Sequence, residues 1–188
     1  MLTFKGKLGL FIMSNKRQNI KIVTKKKVVK RRVVKKKAVQ PIFENIRTND
    51  DLKDIMETFR KKLNIDDNVD IRIKFGRKAR RVLGSVKLVE KTSLIKISKY
   101  MCDYRVPEYV LKEVILHEMI HIKTGHGSVL QKQYEHAHRG GVIRKEMALV
   151  GEEELYDTSD KWVKTNWFKH VRSYNMRERQ IIKKMNND

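Results

Sequence analysis

His117, Glu118 and His121 carry the strongest chemical signal in this 188-residue chain, in the run His117-Glu118-Met119-Ile120-His121. Positions four apart lie on one face of a helix, so both imidazoles can converge on a single ion. Zinc is the expected metal, because it accepts nitrogen ligands at about 2.0–2.1 Å and activates water without redox chemistry. Glu118, beside the first histidine, is placed to take a proton from that water as it attacks a carbonyl and to pass it to the departing amine. A catalytic zinc takes three protein ligands and keeps one position open. His126 is the expected third ligand: it follows Gly125, where the chain can reverse, and Gly127 gives its backbone room. Glu146 is the alternative third ligand, and Glu135, His136 and His138 are further rivals. On a helix His136 and His138 would point about 200 degrees apart, so they are not expected to act as a pair, although either is available for a substrate contact. Tyr134, Tyr156, Arg139 and Arg144 are candidates to stabilise the negative charge that grows on the attacked carbonyl.

The elements that must position these groups can be read from periodicity. Pro107 and Glu108 mark a helix start, Val110, Leu111, Val114, Ile115, Ile120 and Ile122 give it broad apolar coverage, and Gly125 ends it after Thr124. Upstream, Thr48 and Asp51 have capping-box spacing, and Leu52, Ile55, Phe59 and Leu63 repeat at helical intervals, which predicts a helix over 49–63. Val69, Ile71, Ile73 and Phe75 then alternate as in a strand; Val82 to Leu88 and Leu94 to Ile97 are two further strand candidates, reversing at Glu90–Ser93. The edge of that sheet matters, since an extended peptide can be held by pairing with it. Downstream, Ser128 and Gln131 again have capping-box spacing and predict a second helix, with Val129, Leu130 and Tyr134 packed behind the catalytic one. Gly140-Gly141 breaks it, a short segment follows over 142–150, and a closing helix over 159–184 buries Trp162, Val163, Phe168, Val171, Tyr174 and Ile181. The fold class is therefore α+β: helices packed on a small mixed or antiparallel sheet.

Charge adds a second theme. The net charge is +22, and residues 1–40 hold 14 of the 44 Lys and Arg with none of the 22 Asp and Glu. The densest cations are Lys25, Lys26, Lys27, Lys30, Arg31, Arg32, Lys35, Lys36 and Lys37. Such a run attracts polyanions through counterion release, and nucleic acid is the leading partner, DNA or another polyanion. Paired valines between the lysine runs lack a clean two-residue period, so 1–40 is read as a basic N-terminal arm, with an edge-strand extension as the alternative. The implied organisation is 1–40 arm, 41–150 catalytic core and 151–188 C-terminal helical extension packing on the core. No stretch approaches the roughly 20 apolar residues needed to cross a bilayer, and no secretory leader is evident. The single cysteine, Cys102, excludes an internal disulfide and a four-cysteine zinc ribbon, and it reads as an ordinary buried residue. An intracellular monomer is the expectation, with nucleus and cytoplasm not separated by charge alone.

The segments Leu116-His117-Glu118-Met119-Ile120-His121 and Gly125-His126-Gly127-Ser128-Val129-Leu130, with Arg81-Val82-Leu83-Gly84 and Ile95-Lys96-Ile97-Ser98 upstream, resemble the SprT-like metallopeptidase family. That family includes the Spartan proteases, which degrade proteins crosslinked to DNA. The resemblance spans about residues 50–140. It implies a compact zincin-type domain, one zinc held by His117, His121 and His126, Glu118 as general base, and a protein substrate, often one attached to DNA. The spacing from His121 to His126 is shorter than in Spartan itself, and the cysteine-rich ribbon common after bacterial SprT domains is absent. The preferred function is a zinc-dependent endopeptidase acting near DNA or another polyanion. The rivals are a different zinc hydrolase on the same scaffold, and a basic nucleic-acid-binding or packaging protein with a vestigial metal site.

Overall fold

The computed structural model describes residues 46–187. The basic run from Lys25 to Lys37 lies outside the described residues, and so does the choice between an arm and an edge strand there. In order, the elements are α1 (Asn49–Lys62), β1 (Ile71–Phe75), β2 (Gly84–Val89), β3 (Thr92–Ile97), α2 (Glu108–Lys123), α3 (Val142–Leu149) and α4 (Glu153–Asn187), with short 3-10 turns at Lys99–Cys102 and Arg139–Gly141. The strand order is β1-β3-β2: β1 pairs with β3 in parallel, and β2 pairs with β3 antiparallel. This is the α+β architecture the periodicity implies, with a mixed three-stranded sheet among the described residues.

α1 begins as its sequence predicts, with the Thr48 side chain accepting from the Asp51 amide and the Asp51 carboxylate accepting from the Thr48 amide. Its buried stripe of Leu52, Met56 and Phe59 packs into the same core as Ile71, Ile73, Ile95 and Ile97 of the sheet. α2 is the central element: Val110, Leu111, Ile115, Leu116, Met119, Ile120 and Ile122 are all buried. Pro107 serves as its N-cap, one position outside the first turn where the sequence places it. Arg47 locks the approach to α2, its buried guanidinium donating to the carbonyls of Met101, Asp103 and Val106 at 3.1, 2.9 and 2.8 Å. The helix stops at Gly125, whose φ of +82° suits glycine and where a Cβ would stand 2.4 Å from the Gln131 carbonyl oxygen.

Three expectations differ from the structure. Residues 128–138 form no helix. The Ser128 hydroxyl, expected to cap one, donates to the Ile122 carbonyl at 2.9 Å and accepts from the Leu130 amide at 3.1 Å, which makes it the pivot of a tight turn. Consequently Val129 and Tyr134 are exposed rather than packed behind α2, and only Leu130 touches the core. The closing helix starts at Glu153, about a turn and a half before its expected start, and carries the acidic run into its first turn, where the helix dipole favours it. Finally, Phe168 on that helix is exposed, while Trp167, one position before it, is buried and donates its indole N–H to the Arg80 carbonyl at 2.8 Å. No helix among the described residues is long and apolar enough to cross a membrane.

Candidate metal centre

α2 presents His117 and His121 on one face, with ring centroids 4.9 Å apart. The loop after α2 folds back and sets His138 over them, 5.2 Å from the His117 ring and 4.6 Å from the His121 ring. One nitrogen from each of these three residues lies within 4.8 Å of the other two, a spacing that can hold a metal ion. His126 lines the same pocket, yet it stands beside this set, with its ring 6.2 Å from that of His121. The reason is local. His126 follows so closely on α2 that its amide is still bonded to the His121 carbonyl at 2.7 Å, and its Nδ1 lies 3.3 Å from the Thr124 hydroxyl. The longer excursion through residues 128–137 carries His138 over the two helix histidines, while His126 stays beside them in the pocket.

Two observations fit the cluster to a metal. His121 Nδ1 and His126 Nε2 are buried with no hydrogen-bond partner in the protein, as expected of nitrogens whose partner is an ion or its bound water. Burial, reinforced by the neighbouring His117, His138 and His126, lowers the pKa of His121 to about 3, so its ring is neutral and keeps a lone pair. His138 is shifted down as well, first by burial and then by His117 and His126. Three imidazoles are one of the ligand sets that catalytic zinc uses.

Glu118 lies in the same pocket, 6% exposed. Burial, with a smaller contribution from Glu113, raises its pKa to about 7, against the opposing pull of His117 and of the Val86 backbone amide. Its neighbour is β2, the outer strand of the sheet among the described residues. Ser98 N donates to Leu83 O, and the Ile97 carbonyl accepts from Gly76 on the β1 side. With Gly84 opposite Ile97, the antiparallel alternation turns the backbone groups of Gly84, Val86 and Leu88 away from β3, toward the side where no strand pairs among the described residues. Gly84 allows α2 to approach this edge: a Cβ there would lie 2.7 Å from Glu118 Oε1 and 2.8 Å from Val114 Cγ1. The pocket between edge and helix is also lined by Val82, Gly127, Tyr156, Ser159 and Val163.

The other residues singled out in the sequence lie elsewhere. Glu146 is buried, but its carboxylate accepts from Lys123 at 2.8 Å and from the Tyr134 hydroxyl at 3.2 Å, outside the histidine cluster. That contact also removes Tyr134 from the pocket. His136 is exposed beside Glu135, and Arg139 is exposed in the turn before α3. Arg144 pairs with Glu153 and Asp157. Of the groups considered for charge stabilisation, Tyr156 lines the pocket. Glu113 and Ser159 are signalled by no motif, and Gly84 stands in the segment Arg81–Gly84 without a role attached, because the neighbours they touch are distant in sequence or one helical turn away.

A family model described as the SprT-like family matches residues 49–160, more than half of the chain, running from the first residue of α1 into α4. No curated protein and no solved structure matches.

Proposed function

The chain belongs to the SprT-like family of zinc-dependent endopeptidases, and from that premise we propose which of its residues do the work and what kind of protein it cuts. The ligands are His117, His121 and His138, with His126 adjacent to them, its buried Nε2 turned to no protein group. When bound there, zinc supplies a Lewis acid for activating water and polarising a carbonyl. Glu118 is the general base: it is buried in the pocket beside the imidazoles, where burial raises its pKa in the metal-free protein and a carboxylate can take the proton of a water held there. The peptide lies extended in the pocket between β2 and α2, which brings its carbonyl between Glu118 and the rings. Tyr156, which lines the same pocket, is the candidate to steady the charge on that carbonyl oxygen. The observation that carries this reading is the juxtaposition of three imidazoles, one buried carboxyl group and one strand edge that is unpaired among the described residues.

The substrate class we propose is protein held on DNA or another polyanion. The basic run at residues 25–37 supports it, and so does a surface on the described domain. Arg80, Phe168, Arg172 and Arg179 line one groove along α4, Phe168 is 60% exposed, and the Arg80 guanidinium lies 5.9 Å from its ring. Among the described residues no carboxylate pairs with these three arginines, whereas Lys78 and Arg177 nearby are paired with Glu178 and Asp103.

The test is cleavage of basic protein substrates by zinc-loaded wild type and Glu118→Gln, with and without single-stranded DNA. Wild type should cleave, DNA should accelerate it, and Glu118→Gln should lose at least ~100-fold, the low end for a positioned general base. Equal cleavage by both proteins would remove Glu118 from the mechanism. His138→Ala and His126→Ala, compared for zinc retention, separate the third ligand from its neighbour: the first should lose zinc and the second keep it.

A further inference from the structure

Glu113 sits one turn before His117 on α2 and is only 9% exposed. Its flanking positions Val110, Leu111, Val114 and Ile115 are buried and apolar, so packing alone would favour a hydrocarbon here. Among the described residues no lysine or arginine lies within ion-pair distance of it; its two polar neighbours are histidine and serine. Oε1 lies 3.7 Å from Nδ1 of His117, and Oε2 accepts from the Ser159 hydroxyl at 3.3 Å. Ser159 is fully buried on α4, so the second contact ties the carboxyl group to a different helix.

We propose that Glu113 is a positioning residue for the metal centre, fixing His117 so that Nε2 is its ligating nitrogen, and that Ser159 fixes Glu113 in turn. This rests on the metal-centre reading above. A carboxyl group facing one imidazole nitrogen favours the proton on that nitrogen and leaves the lone pair on the other. Here the faced atom is Nδ1, so the lone pair lies on the nitrogen farther from Glu113. The anchor is bilateral: helix periodicity sets Glu113 beneath His117, and Ser159 stops the carboxyl group from rotating away. α4, which also supplies Tyr156 and Val163 to the pocket, thereby bears on a ligand it does not carry.

The experiment uses the full chain as wild type, Glu113→Gln, Glu113→Ala and Ser159→Ala. Each is stripped of metal, melted without metal, titrated with zinc against a chromophoric chelator, and loaded with cobalt(II) for its visible absorption bands. Both Glu113 variants should bind zinc about 10–100-fold more weakly, the usual cost of losing such a partner. Ser159→Ala should fall between them and wild type, and the cobalt bands should shift in all three. Glu113→Gln, being isosteric, should melt without metal no lower than wild type, which separates positioning from folding. Zinc affinity within twofold of wild type in both Glu113 variants, with unshifted cobalt bands, overturns the proposal while leaving the metal centre standing. A loss of affinity matched by a collapse of the metal-free fold in Glu113→Gln also overturns it. Wild type that takes up no zinc overturns the metal-centre reading itself, and this proposal with it.

Discussion

Gly84 sets the closest tolerance at the site. Any side chain there would enter space held by the Glu118 carboxyl group and by Val114, with contacts of 2.7 and 2.8 Å. Since neither the helix nor the strand can retreat without disturbing a packed core, the Glu118 side chain is what gives way. A displacement near 1 Å at a catalytic group costs on the order of 100-fold in rate, whereas the overpacking itself costs about 1–3 kcal/mol of stability. Gly84→Ala should therefore keep its fold and its zinc while losing most of its peptidase activity. The check pairs a thermal melt and a zinc titration with kcat/KM, and wild-type turnover in the variant would show that Glu118 has more room than the contacts allow. The same residue shows where sequence reasoning reaches its limit at this scale. His117, Glu118 and His121 are legible because their relation is a helical interval fixed by four residues of chain. Gly84 meets Glu118 only once the sheet has been laid on the helix. His138 was a rival rather than the favourite, because on a helix it would diverge from His136, and the loop that replaces that helix aims it at the cluster.

At the level of elements, α1 and α2 could be read almost to the residue, since capping pairs, proline and glycine mark their ends independently of tertiary contacts. Ser128 carried a similar mark and misled, because a hydroxyl that can cap a helix can equally hold a turn, and the Ile122 carbonyl at the end of α2 claimed it. The docking of α4 depends on long-range partners. His170 is 8% exposed, its ring is 5.8 Å from the Trp167 ring, and its Nε2 lies 3.0 Å from the Tyr100 carbonyl, so that nitrogen is the donor. Burial lowers its pKa below the ordinary 6.5, outweighing the Tyr100 contact and the pull of Asp103. The unfolded ring thus gains its proton at a higher pH than the folded one. Between those two values the unfolded state binds more protons, so stability is full above about pH 6.5 and falls as the pH drops through the window. His170→Gln should melt below wild type at pH 7.5 by more than it does at pH 5.5, since glutamine can donate to Tyr100 but does not titrate. A gap independent of pH between the two melting curves would show that His170 does not control this docking.

For the whole molecule, the distribution of charge decides between a peptidase that meets its substrates free and one that meets them on a polymer. α4 connects the two possibilities physically. Its N-terminal turns line the pocket at Tyr156, Ser159 and Val163, and the turns from Phe168 onward carry Phe168, Arg172 and Arg179. Ser159 and Phe168 are nine residues apart on one helix, which is roughly 13 Å along the axis at the helical rise and about 180 degrees around it. A strand lying against the arginines would therefore sit on the face of α4 turned away from the pocket, and an attached protein would have to pass around the helix to enter the groove. The buried Trp167 indole, bonded to the Arg80 carbonyl, keeps the β1–β2 connection against α4, so the arginines are assembled before any ligand arrives. Single-stranded nucleic acid fits this surface better than duplex, because an exposed ring among arginines can stack on a free base. If each arginine neutralises one phosphate, the triple variant Arg80→Gln, Arg172→Gln, Arg179→Gln should reduce the slope of log affinity against log salt for an oligothymidine by about 2, at roughly 0.7 per contact. Phe168→Ala should leave that slope alone and weaken binding by about 1–3 kcal/mol if one base stacks there. Both are to be measured in the full chain, where residues 1–40 contribute their own salt dependence as a constant background. If the triple variant keeps the wild-type slope, the nucleic acid does not touch α4, and any recruitment of polymer-bound substrates falls to the basic run at residues 25–37 alone.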